Sequence, residues 1–212
     1  MRLGLVAAAV VAASVAALQW YVSQRVSELG FSYADGRFAL AESQARELGG
    51  ALTDQELASI KRMSRTEVER AFAGLRLRVS ERPDAFWSVR VIPAFSARSG
   101  PGQRAGAQTL PLGVLGGKGV VDFSQLATTA IAYAPPEASR QTILDGIGRG
   151  LGRSAVHEFA HAILGVSPAM DTETDEGSYE HESFNRRVQY YGELHWAGAW
   201  PLLEREVGTV VR

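Results

Sequence analysis

Cysteine is absent from the 212-residue chain, which excludes disulfide bridges and thiolate metal ligands alike. Histidine is scarce, with four in all, so any two at ligand spacing carry information. Lysine is scarcer: Lys61 and Lys118 are the only two, and arginine supplies the remaining positive charge. The formal net charge is −1, so the sequence has no electrostatic footprint for nucleic acid, and no nucleic-acid partner is expected. Two glycine-rich stretches also fall short of phosphate-binding motifs. In Gly116-Gly117-Lys118-Gly119, Leu112 stands where the first glycine of a P-loop belongs and Gly119 where Ser or Thr would meet magnesium. The alternating glycines 146, 148, 150 and 152 miss the G-x-G-x-x-G spacing.

What is present begins with one long apolar run. From Leu3 to Val22 the only polar residues are Ser14 and Gln19, and Arg2 precedes the run while Trp20 and Tyr21 close it. About 20 residues at 1.5 Å each span roughly the 30 Å of a bilayer core. Residues 1–24 are therefore expected to be a transmembrane anchor, the aromatic pair favouring retention at the interface. A cleaved signal segment is the alternative, since Ser14-Val15-Ala16 before Ala17 offers small residues at the needed places. Either way the rest of the chain is expected to be exported or membrane-tethered. It amounts to about one domain of ordinary size, and 46% hydrophobic residues suffice for a core.

Residues 25–74 read as a helical region that packs on, or precedes, a sheet. Thr53-Asp54-Gln55-Glu56 and Ser64-Arg65-Thr66-Glu67 both have the form of a capping box, followed by apolar residues at helical spacing. Residues 75–212 form the second region. Leu75, Leu77 and Val79 alternate, Phe86 to Ile92 suggests a strand ending at Pro93, Ser96 to Gly119 a long loop, and Gly119 to Tyr133 another strand. A helix is expected from Arg140 through the motif below, although its glycines could bend it, and a second helix from Tyr179 to Glu193.

The motif is His157-Glu158-Phe159-Ala160-His161, H-E-x-x-H, followed after eighteen intervening residues by Glu180. Four residues make about one helical turn, so His157 and His161 share a face and can present ring nitrogens to one ion. Glu158 stands beside them, able to reach a water on that ion without being a ligand. A catalytic zinc takes three protein ligands and leaves one position open, and His157, His161 and Glu180 supply three. Leu151, Ala155, Val156, Phe159, Ala160, Ile163 and Leu164 give the motif a buried helix, with Gly165 and Pro168 as its stop. Asp171, Asp175 and His181 are rivals of Glu180 for the third place. Asp171-x-Glu173-x-Asp175 with Glu182 also has an EF-hand's odd-position spacing, but Glu176 occupies the required glycine position.

The segment HEFAHAILG, His157 to Gly165, resembles the active-site helix of the zincin metallopeptidases. The H-E-x-x-H-x18-E spacing is similar to that of the gluzincin branch, while the short reach to Asp171 or Asp175 is similar to the aspzincin branch. The metzincin pattern is not met, because Leu164 and Ser167 occupy its Gly and third His positions, and the Asn-Glu pair common in gluzincins is lacking around Glu180. The resemblance implies an α+β fold: a small twisted sheet with packed helices and an edge strand above a substrate cleft. It also implies Zn2+ as cofactor, His157, His161 and Glu180 as ligands, Glu158 as general base, and a peptide or protein substrate. An oxyanion donor is implied as well, for which Tyr190, Tyr191, His195, Arg186 and Arg187 are candidates. Two other functions fit the same residues: a membrane-anchored zinc-binding or scaffold domain without turnover, and a zinc amidase acting on non-peptide amides.

Overall fold

A computed structural model describes residues 26–95, 107–111, 116–165, 167, 169–171 and 173–210. The architecture is α+β. In chain order it runs β1 (Ser27–Tyr33), α1 (Glu42–Glu47), α2 (Asp54–Ala71), β2 (Leu77–Ser80), β3 (Trp87–Ile92), β4 (Ala107–Pro111), β5 (Gly117–Asp122), α3 (Phe123–Ala132), α4 (Arg140–Leu164), α5 (Val188–Tyr191) and α6 (Trp200–Val207). The five strands form one sheet in the order β2-β1-β3-β5-β4. Only β4 runs antiparallel to its neighbour.

Strand β1 corrects the expectation of a helical region at 25–74 that packs on, or precedes, the sheet, since part of it belongs to the sheet. Leu29 and Phe31 of β1 are buried in the main core, and the strand lies between β2 and β3. A boundary at residue 74 would therefore cut one sheet in two. The connection from β2 to β3 must cross over β1, and it does so at Gly30, where a Cβ would lie 1.9 Å from the Arg82 carbonyl oxygen. No side chain fits there.

Helix α2 is a single helix, not two. Thr53 and Glu56 make the expected reciprocal capping box, but Ser64 lies inside the helix and its hydroxyl donates to the Lys61 carbonyl. Gly119 to Tyr133 is likewise not one strand. Asp122 accepts the Gln125 amide at 2.9 Å and the Phe95 amide at 2.8 Å, which ends β5 and caps α3. The long loop expected from Ser96 to Gly119 contains β4 and the start of β5; positions 96–106 and 112–115 lie outside the described residues.

Helix α4 is continuous over 25 residues despite its glycines, which make room for neighbours on two faces. Added Cβ atoms at Gly146 and Gly150 would strike the rings of Tyr191 and Tyr190, whereas those at Gly148 and Gly152 would strike Met63 and the Ser64 carbonyl of α2. Ile147, Leu151, Ala155 and Phe159 carry the helix's apolar contacts into the core with Val68 of α2, Phe72 just after it, and Val89 and Val121 of the sheet. Burial of one such large side chain is worth about 1.5–3 kcal/mol, enough to outweigh the roughly 1 kcal/mol that a helical glycine costs.

The segment expected as a second helix, Tyr179 to Glu193, is irregular apart from the single turn α5. The anchor expected at 1–24 lies outside the described residues, and no helix among the described residues is long and apolar enough to cross a membrane.

Candidate metal centre

The motif lies in the last two turns of α4, which run beneath β5. Gly117 and Gly119 permit the approach: a Cβ on Gly117 would sit 2.6 Å from that of Ala162, and one on Gly119 would sit 3.3 Å from the Glu158 Cβ. On the outer strand β4, the Thr109 hydroxyl donates to the Glu158 carbonyl at 3.1 Å. The glycine-rich stretch that resembled a phosphate loop therefore lets a strand lie on the motif helix.

His157 and His161 come together as their spacing requires, with Nε2 atoms 3.1 Å apart. The third donor is Asp171, whose Oδ1 stands 3.2 Å from each Nε2. A tetrahedral ion with bonds of about 2.0–2.1 Å holds its donors about 3.3 Å apart, so this triangle has the dimensions of one face of such a site. His157, His161 and Asp171 could hold a metal ion. Asp171 is the only non-glycine residue with positive φ among the described residues, at 66°, a conformation that Asp tolerates better than most. Its amide donates to the Glu180 carbonyl at 3.1 Å.

Glu180 does not join the trio. Its carboxylate is fully buried elsewhere, with Oε1 accepting the amides of Ala197, Gly198 and Ala199 at 2.8–2.9 Å and Oε2 accepting the Ser178 hydroxyl at 3.0 Å. The helix expected to carry it is absent, so the expected set of His157, His161 and Glu180 does not converge, and Asp171 stands beside the histidines instead. The other rivals are also engaged. Asp175 pairs with His195 at 3.0 Å, and His181 Nδ1 accepts the Ser183 amide at 3.0 Å. Glu173 turns onto the amides of Thr174 and Asp175, which leaves the calcium-loop spacing without converging carboxylates.

Outer contacts orient the histidines. Nδ1–H of His157 donates to the Tyr179 carbonyl at 2.8 Å, which turns Nε2 toward the trio. Burial pulls His157 down, but the Asp171 hydrogen bond, the Glu158 charge and the Tyr179 carbonyl together outweigh it and raise its pKa. Burial and the neighbouring His157 ring lower His161. The hydrogen bond from His157 holds Asp171 below the usual carboxylate range. Burial pushes the Glu158 carboxyl up, against the opposing pull of His157.

One turn before His157, Arg153 fixes the helix in place. Its guanidinium is fully buried, donating to Glu67 of α2 at 3.0 Å and to the carbonyls of Val188 and Gln189 at 3.0 and 3.1 Å.

Of the five oxyanion candidates, two are engaged elsewhere and a third is enclosed in the core with its hydroxyl unpartnered. Tyr190 is buried, Tyr191 donates to the Ala130 carbonyl at 2.7 Å, and Arg186 is buried against the carbonyls of Glu176, Ser178 and Ser183. Arg187 is exposed, as is His195, whose ring is oriented by Asp175. Comparison with protein-family models, with curated proteins and with solved structures finds no match.

Proposed function

We propose that this chain is a zinc metallopeptidase in which His157, His161 and Asp171 hold the ion and Glu158 is the general base. The observation that carries the reading is the triangle of two imidazole nitrogens and one carboxylate oxygen, 3.1–3.2 Å on each edge, beside a buried glutamate. The donor set of two nitrogens and one oxygen suits zinc, and three protein ligands leave a position open for water or substrate. When bound, zinc would supply Lewis-acid polarisation of a carbonyl and a water acidic enough to ionise near neutrality.

The chain's own residues supply the remainder. Glu158 is one position from a ligand and shielded from bulk solvent, so it can take a proton from water and return it to the leaving amine. Asp171, whose side chain is 44% exposed, keeps the trio open to solvent and hence to a substrate. An extended peptide adding to β4 by main-chain hydrogen bonds would pass the acid, because Thr109 of that strand already touches residue 158. With residues 1–24 as anchor, the site would face the exported side of a membrane.

The test is metal content together with a peptide-library digest of the full chain in detergent, compared with Glu158→Gln. Near-stoichiometric zinc in both and cleavage only by the unsubstituted chain is the expected result. Zinc in both with no cleavage of peptides or other amide polymers would instead favour a binding module.

A further inference from the structure

Glu180 lies at a junction that its exclusion from the trio makes visible. Its carboxylate has four donors, three of them consecutive amides in the turn that leads into α6. On the main-chain side, its carbonyl holds the Asp171 amide, and the carbonyl before it holds His157 Nδ1–H. Two adjacent peptide groups thus touch two members of the trio while the side chain between them grips the turn 197–199. Ala199 closes the circuit. Its amide is on Glu180, and its methyl packs with Ala160 of the motif and with Met170, the residue before Asp171.

We infer that Glu180 is a positioning residue that couples the docking of α6 to the geometry of His157 and Asp171, so that metal binding and the order of the 197–199 turn stabilise each other. The inference rests on the reading of His157, His161 and Asp171 as ligands. Outer contacts of this kind fix ligand orientation, and their loss typically weakens metal binding about 10–100-fold. Without the carboxylate, the three turn amides lose their common acceptor and the 178–180 segment loses its side-chain anchor. The carbonyls that hold Asp171 and His157 then move with it. Coupling is reciprocal, so an ion in the trio must also tighten the turn.

The experiment uses the full chain in detergent, with Glu180→Gln as the nearly isosteric test and Val68→Ala, a buried α2 position far from this junction in sequence, as a control for general destabilisation. Three readouts apply: zinc affinity by chelator competition, the visible spectrum of the cobalt-loaded protein, and hydrogen exchange at the amides of residues 197–199. The expected result is a zinc Kd raised about 10–100-fold and an altered cobalt spectrum in Glu180→Gln, with affinity in Val68→Ala unchanged within about twofold. In the unsubstituted chain, zinc should slow exchange at 197–199, a measurement that stands even if the variant fails to fold. Unchanged affinity and spectrum in Glu180→Gln, an equal loss in Val68→Ala, or exchange at 197–199 indifferent to zinc would each overturn the inference. An unsubstituted chain that binds no zinc overturns the ligand reading as well, whereas zinc binding that ignores Glu180 overturns this inference alone.

Discussion

The amide of Asp171 donates to the carbonyl of Glu180 across 3.1 Å. Two of the acidic residues that the sequence offers as third ligand are thus bonded to each other and divide the work: one side chain faces the histidines, the other faces the turn before α6. Asp171→Asn separates these roles, because Asn tolerates the same positive φ while removing the charge. Zinc affinity should fall at least about 100-fold with the metal-free fold intact, by chelator competition and circular dichroism. Retention of affinity would remove Asp171 from the ligand set.

Glu158→Gln should leave zinc binding in place and lower kcat by about 10²–10⁴-fold, the usual contribution of a positioned acid–base group. Steady-state kinetics on a cleaved peptide, with metal content measured on the same sample, reads both numbers.

Arg153 and Glu67 are both buried, so Arg153→Ala leaves a carboxylate without its most enclosed partner, although Arg70 still reaches Glu67 at 2.9 Å. Breaking such a buried pair costs about 3–5 kcal/mol, and the surviving Arg70 contact places the expectation at the lower end. Denaturant unfolding measures it; a loss under about 1 kcal/mol would show the pair to be dispensable.

The Arg140 hydrogen bond, together with the Thr53 amide, lowers Glu56 to about 2. A carboxyl whose folded pKa is depressed adds stability above its unfolded value, lost as pH falls through the folded one. The stability difference between the unsubstituted chain and Glu56→Gln should therefore hold near neutrality, shrink from about pH 4.5 and vanish near pH 2. A difference that stays constant down to pH 2 would contradict the assignment.

Gly152→Ala sets two effects against each other. Helix propensity favours alanine by about 1 kcal/mol, but the new Cβ would meet the Ser64 carbonyl oxygen at 2.4 Å, and forcing α4 from α2 costs about 1–3 kcal/mol. The clash is with backbone and cannot rotate away. A lowered melting temperature is expected.

The motif helix was legible because its signals agree: histidines at i and i+4, an apolar surround and a Gly165 stop. Strand β3 was legible from its alternation. Strand β1 also alternates, Leu29, Phe31 and Tyr33 against Glu28, Gly30 and Ser32, but the glycine that admits the crossover weakens the pattern. The third member of the trio was not legible in the same way. Several acidic residues follow the motif within reach, and the choice among them depends on a left-handed backbone at Asp171 and on amides contributed by residues 197–199. Those are tertiary facts. The Asp122 cap that ends β5 is a local signal set between apolar residues on either side, which hide it.

Anomalous scattering at the zinc edge from crystals of the protein tests the central claim most directly. The account predicts one zinc ion bonded to His157 Nε2, His161 Nε2 and Asp171 Oδ1, with the Glu180 carboxylate still on the amides of Ala197, Gly198 and Ala199. An ion held by Glu180 in place of Asp171, or no zinc on the motif histidines when the metal is supplied, would contradict it.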